Sequence, residues 1–218
     1  MAFISSDLHK QQGAYSLDTG FRSLSESIGF DGIFLEILKE FMNINQVLNL
    51  PFSSCSCVTA LQIRQTTRLV QYYLLTLRDS GDTSSEKGQL QELCGVAISL
   101  YVGILLNDFW LASQCEQLLS RLRSSLGHEF LQDSSTKDLR LWVVCLACVA
   151  VSDSAQRPWC LTTLVNMISE PGYKDWEDVI AVLRSFAWVA ELEDPLLSDV
   201  WKEAITLRTI LHPGAFHL

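Results

Sequence analysis

The stretch Asp175–Trp201, DWEDVIAVLRSFAWVAELEDPLLSDVW, decides the fold class because the spacing of its apolar residues is helical. Side chains three and four residues apart lie on one face of a helix. That face consists of Trp176, Val179, Leu183, Phe186 and Ala190. At 100° per residue, Trp188 lies on the opposite side of the helical wheel, near Arg184. The stretch therefore predicts a helix with an apolar core face and a second, aromatic face.

Two interpretations of this second face are open. In the first, Trp188 is core packing, and the chain turns at ELEDP so that Leu197 or Trp201 returns over the indole. In the second, Trp188 and Arg184 are a candidate surface for an effector or a partner. Arg184 lies one turn before Trp188, where its guanidinium can cover the indole in a cation–π contact. These two residues are the only candidate binding residues that the sequence offers.

The rest of the chain shows the same helical spacing, and no alternating strand pattern interrupts it. We predict helices over about 31–45, 57–78, 85–105, 109–126, 137–151, 158–169, 176–190 and 195–211. They make an all-α fold: a single domain of seven to eight mostly antiparallel helices, solenoid- or bundle-like, over residues 31–212. Residues 1–30 are assigned to a partly ordered N-terminal arm, and residues 213–218 to a tail.

Individual residues predict where some of these helices begin and which side chains they bury. Asp31 is predicted to cap the first helix, and Asp194 the last, which then begins at Pro195. The helix over about 57–78 is predicted to bury the stripe Leu61, Leu69, Tyr72, Tyr73 and Leu77.

Composition narrows the class of protein. The chain has 218 residues, of which 48% are hydrophobic and 19% charged, as in a globular protein with a large core. The net charge of −9 opposes a phosphate backbone, so we expect no direct binding of nucleic acid. The longest apolar runs, 94–106 and 141–151, are shorter than the about 20 residues of a membrane span. We expect no membrane segment.

The seven cysteines favour a reducing compartment, with the thiols used as small buried hydrophobes. Cys145 and Cys148 are spaced like zinc ligands, but a closed zinc site needs two further ligands. Cys160 is near in sequence, but no fourth ligand is evident. No catalytic motif or phosphate-binding loop occurs. The sequence therefore predicts no catalytic, metal-binding or cofactor-binding residue, and no enzyme.

A resemblance emerges from four segments of the C-terminal half, which follow in the order LWVVCLACVAVSD, RPWCLTTLV, WEDVIAVLRSFAW and DPLLSDVWKEA. It depends on the spacing of Trp142, Arg157, Trp159, Trp176, Phe186, Trp188, Asp194 and Trp201. Over about Leu139–Ala204 the chain resembles the fungal-specific transcription factor regulatory domain, or middle homology domain. That all-helical region follows the zinc binuclear cluster in many fungal regulators. Upstream, LDTGFRSLSESIGF resembles the entry segment of the same family.

The resemblance implies a helical regulatory domain in the nucleus or cytoplasm that contacts other proteins, a second copy of itself or a small effector. The family's DNA-binding cluster has six cysteines in a short basic segment, whereas the first cysteine here is Cys55. The family's DNA-binding motif is therefore not carried over. Both a part of a longer regulator and a standalone relative fit this pattern. The alternative is a generic helical protein-interaction adaptor unrelated to transcription.

Overall fold

The computed structural model of the protein describes residues 19–49, 57–80, 85–106, 112–151, 155–170, 172–173 and 175–211. These residues form helices and two short 3-10 turns, and none of them forms a strand, which confirms the all-α fold class. The helices are α1 Thr19–Ser27, α2 Gly32–Leu48, α3 Cys57–Ser80, α4 Glu86–Leu106, α5 Ala112–Leu126, α6 Lys137–Ala150, α7 Arg157–Ser169, α8 Trp176–Phe186 and α9 Ala190–Leu211. The predicted arm before residue 19, the tail 213–218 and Cys55 lie outside the described residues.

Helix α6 is the centre of the bundle. Its residues from Leu141 to Cys148 are all buried, as expected for a helix that is apolar on every side. It packs against α4, α5, α7, α8 and α9. Helix α1 packs against α8, so the chain closes on itself. A solenoid has contacts between successive repeats only, and the arrangement is therefore a bundle.

Helix α4 is the second core helix, and it contains a long apolar stretch. In the described part of the chain, only residues 86–105 make a helix long and apolar enough to cross a membrane. More than half of that stretch is buried within the protein. Leu90, Leu93, Ala97 and Tyr101 are fully inaccessible, which is the pattern of a core helix.

Helix α1 corrects the predicted boundary between arm and domain. Phe21 is fully buried, with its ring edge-on to Trp142 at 5.5 Å and to Phe186 at 5.1 Å between centroids. Gly20 permits this approach, because a Cβ there would lie 2.8 Å from the Phe186 ring. The helical domain thus includes residues that the sequence analysis placed in the arm, since their few apolar side chains gave no helical stripe.

Asp31 precedes α2 at the predicted N-cap position, but its side chain makes no capping hydrogen bond. The carboxylate instead pairs with Lys87 and accepts from Gln91 Nε2 at 3.1 Å, both on α4. The Asp31 backbone N–H donates to Gln91 Oε1 at 3.0 Å. Hydrogen bonds from Lys87 and Gln91 lower the pKa of Asp31. The residue therefore ties α2 to α4 rather than closing the helix end.

The N-terminus of α9 is also corrected. The helix begins at Ala190, so Pro195 lies within it and Asp194 is not its cap. The non-helical segment before α9 ends at Val189, and the helix starts directly after it. Asp194 is then free of a capping role and takes other partners, described below.

We predict that Phe21→Ala lowers the free energy of unfolding by about 3–5 kcal/mol, because it empties an aromatic site in the core. Chemical denaturation measures the change. Ile33→Ala is the control: its side chain is 63% exposed, and such surface changes stay within about 0.5 kcal/mol. Equal losses for the two variants would show that α1 does not belong to the core.

Candidate functional site

The two candidate residues of the sequence analysis lie at the junction of α8 and α9. Helix α8 ends at Phe186, and Ala187 is extended, with φ −151° and ψ 123°. Trp188 therefore does not continue the helical wheel, and the question of a second helix face does not arise. Ala187, Trp188 and Val189 are all buried, with at most 3% of their surface exposed. We call Ala187–Val189 the buried break.

Side chains from other elements satisfy the polar groups of the buried break. Trp142 of α6 donates its indole N–H to the Ala187 carbonyl at 2.8 Å. Asn49, the C-cap of α2, donates Nδ2 to the Trp188 carbonyl at 3.0 Å. The Trp188 indole N–H donates to Asp194 Oδ1 at 2.6 Å. Unpaired carbonyls at this depth would cost free energy, so these hydrogen bonds allow the chain to leave its helix inside the core.

Trp188 and Arg184 have different environments. Trp188 is 3% exposed and is core packing, as the first interpretation held. The Arg184 side chain is 55% exposed and forms an ion pair with Asp194, at 3.4 Å. Asp194 thus joins the two residues, but only Arg184 faces solvent, so they do not form an open aromatic surface.

The chain was predicted to bring Leu197 or Trp201 over Trp188, but the Trp201 ring lies against a different tryptophan. Trp176 and Trp201 have ring centroids 5.6 Å apart. The partner of the Trp188 indole is instead Asp194. Trp188 and Asp194 are close in sequence, but the segment ELEDP, which contains Asp194, was predicted to be a turn. The hydrogen bond between the two residues was therefore not expected.

We predict that Trp188 and Asp194 are energetically coupled. The buried bond between an indole N–H and a carboxylate should give a coupling energy of about 0.5–3 kcal/mol in a double-mutant cycle of Trp188→Phe and Asp194→Asn. Urea denaturation of the four proteins measures it. A parallel cycle of Trp188→Phe and Trp201→Phe should be additive. Additivity in the first cycle would contradict the assignment.

The clearest exposed apolar surface is on α3, and it corrects the predicted stripe of that helix. Leu61 is 58% exposed, Leu69 39%, Tyr72 63% and Tyr73 44%. The buried side of α3 is instead Thr67 and Val70, with Ile63 and Leu74 partly buried. We call the exposed set Leu61, Arg64, Gln65, Arg68, Leu69, Tyr72 and Tyr73 the α3 outer face.

The sequence contained a signal for this orientation. Arg64 and Arg68 share the wheel sector of Leu61 and Tyr72, and both arginines are exposed. A stripe that includes two arginines is expensive to bury without partners. Thr67 is polar but can be buried, because its hydroxyl donates a hydrogen bond to the Ile63 carbonyl at 2.7 Å. Hydrophobicity alone therefore selected the wrong face.

Four of the five thiols that the structure describes lie in the core, as the sequence predicted, whereas Cys115 is only partly buried. Cys94, Cys145, Cys148 and Cys160 are buried, and no disulfide joins them. Burial raises the pKa of Cys94 and of Cys145 to about 12. A hydrogen bond with Cys160, together with burial, raises the pKa of Cys148 well above its ordinary value. Protonated, inaccessible thiols are poor nucleophiles and poor metal ligands. Among the described side chains no group of three or more His, Cys, Asp or Glu could hold a metal ion.

A groove of about 720 Å³ runs between α7 and α9. Arg157 and Glu203 form an ion pair beside it, and Leu161, Leu207 and Ile210 supply apolar walls. The groove is open to solvent and its two charged groups neutralise each other. It offers no group poised for chemistry.

Comparison with known proteins identifies no relative: no protein-family model, no curated protein and no solved structure matches this chain.

Proposed function

We propose that this chain is a helical regulatory module that acts by binding other proteins and has no catalytic role. The α3 outer face is the observation that carries the proposal. It exposes two leucines and two tyrosines within just over three turns of one helix. A grouping of large exposed apolar side chains is typical of an interaction surface, whereas single exposed ones are ordinary.

The polar groups of the bundle support a binding role over catalysis, because their partners are structural. Asp194 accepts from the Trp188 indole. Tyr173 donates its hydroxyl to Asp138 Oδ1 at 2.8 Å, and burial with this bond raises its pKa. Each group is engaged in holding two elements together, and none converges on a shared pocket with the others.

Transcriptional control is the setting we propose for this binding, in the nucleus or cytoplasm of a fungus. The support is the resemblance of Leu139–Ala204 to the regulatory domain of fungal transcription factors. Three positions of that pattern, Trp142, Trp188 and Asp194, participate in the hydrogen bonds of the buried break. The pattern thus coincides with residues that the fold requires. DNA contact is assigned to another protein or another part of a regulator.

A tethering experiment tests the proposal. The full chain is fused to a heterologous DNA-binding domain in a fungal host with a reporter gene. We expect reporter expression to change several-fold relative to the DNA-binding domain alone. Leu69→Asp places a charge on the α3 outer face and should abolish that change, because an unpaired carboxylate in an apolar contact is costly.

Leu196→Asp is the matched control, since Leu196 is 49% exposed on α9, and this variant should keep the full response. Circular dichroism and the unfolding midpoint confirm that both variants are folded. No reporter response from the unaltered fusion contradicts a transcriptional role and favours the generic adaptor. A response that survives Leu69→Asp removes the α3 outer face from the proposal.

A further inference from the structure

We infer that the α3 outer face binds an acidic amphipathic helix, with carboxylates along one edge of its apolar stripe. This inference rests on the proposed protein-binding function and names the chemistry of the partner. It follows from where the charges of α3 lie relative to its exposed apolar side chains.

The α3 outer face has two different edges. On the helical wheel Leu61 and Tyr72 occupy its centre, within about 20° of each other. Arg68 lies about 20° and Arg64 about 60° from Leu61, both on the side away from Leu69 and Tyr73. Leu69 lies toward the other edge, which continues to Tyr73. From Leu61 to Tyr73 the face is about 18 Å long at the helical rise per residue. A partner helix of three to four turns matches this length.

The charge of the α3 outer face is opposite to that of the chain. The protein has a net charge of −9, whereas residues 57–78 contain arginines and no aspartate or glutamate. In the described part of the chain, neither Arg64 nor Arg68 forms an ion pair. Several other exposed cations are paired locally, as Lys39 is with Glu36 and Lys202 with Asp199. Two unpaired arginines beside an apolar strip favour a partner that brings carboxylates with apolar residues.

A two-fold pairing of α3 with the α3 of a second copy does not fit this face. The α3 helix of another copy has no carboxylate between residues 57 and 78 to place against the arginines. In an antiparallel pair related by a two-fold axis, the basic edges of both helices lie on the same side and face each other. Like charges in register oppose association. The occupant is therefore a different segment, rich in Asp or Glu.

A fluorescence anisotropy titration of the full chain tests the inference. The probe is a labelled peptide of about 18 residues, designed as a helix with leucines at i, i+3, i+4 and i+7. Glutamates spaced four residues apart line one edge of its leucine stripe. We expect saturable binding that weakens with added salt. Arg64→Glu with Arg68→Glu should weaken it at least about tenfold.

Charge exchange makes the test specific. A peptide with lysines in place of the glutamates should bind the Arg64→Glu, Arg68→Glu protein more tightly than the unaltered protein. Lys39→Glu with Lys202→Glu is the matched control, because it changes the net charge equally on α2 and α9. The control protein should keep the affinity of the unaltered chain for the acidic peptide. Unfolding curves verify that all variants are folded.

Three outcomes overturn the inference. The first is absence of binding, or binding that does not distinguish the acidic from the basic peptide. The second is tighter binding to vesicles of anionic lipid, lost in the Arg64→Glu, Arg68→Glu protein, which assigns the face to a membrane surface. The third is sedimentation showing a dimer that Leu69→Asp dissociates, which assigns it to a second copy. The reporter experiment separates this inference from the proposed function. If the reporter response depends on Leu69 but the acidic peptide does not bind, the partner is not an acidic helix, while the proposed protein-binding function is retained.

Discussion

The hydrogen bond from the Trp142 indole to the Ala187 carbonyl is the contact on which the arrangement of this bundle depends. It joins the central helix to the point where the chain leaves α8, in a region with almost no access to solvent. A backbone carbonyl in such a place needs a donor, and the Trp142 side chain supplies it. Once the donor is a side chain of α6, the positions of α8 and of the start of α9 are defined relative to the bundle centre.

The surrounding contacts extend this constraint to the first two helices. The Trp142 ring stacks on Phe186 at 5.6 Å, and Phe21 of α1 meets both rings edge-on. Asn49 holds the next carbonyl of the buried break from the end of α2. One turn earlier on α2, Asn45 accepts from the Tyr101 hydroxyl of α4 at 2.5 Å inside the core. A buried polar group with a defined partner fixes which helix faces meet, whereas apolar packing alone tolerates alternatives.

The sequence predicted the helices well and their faces less well, for a physical reason. Helical spacing is local, so α6, α7 and α5 were placed within a few residues of their ends. The segment after Phe186 contains no glycine and no proline before Pro195, so nothing local predicts that the helix ends there. The end is imposed by hydrogen bonds from Trp142 and Asn49, which are distant in sequence. The helical-wheel position predicted for Trp188 was therefore wrong, because α8 ends two residues before it.

The orientation of α3 was also mispredicted because it depends on packing partners that are distant in sequence. Leu61, Leu69, Tyr72 and Tyr73 of α3 were assigned to the core because they are apolar, but Thr67 and Val70 fill that place. Those four side chains remain exposed, with Arg64 and Arg68 beside them. Cys145 is a protonated thiol in the core, and Asp194 is a carboxylate with a structural donor. The recognition role that we propose rests on the exposed side chains of α3.

The most direct test of the central contact replaces Trp142 alone with β-(3-benzothienyl)alanine, which keeps the bicyclic shape of tryptophan and lacks the N–H. The same replacement at Trp176, whose ring packs against Trp201, is the control. Urea denaturation measures the free energy of unfolding of both proteins. The loss at position 142 should be about 1–3 kcal/mol, the cost of an unsatisfied buried carbonyl, with little change at position 176. A position-142 protein as stable as the unaltered chain would show that the buried break does not depend on this hydrogen bond.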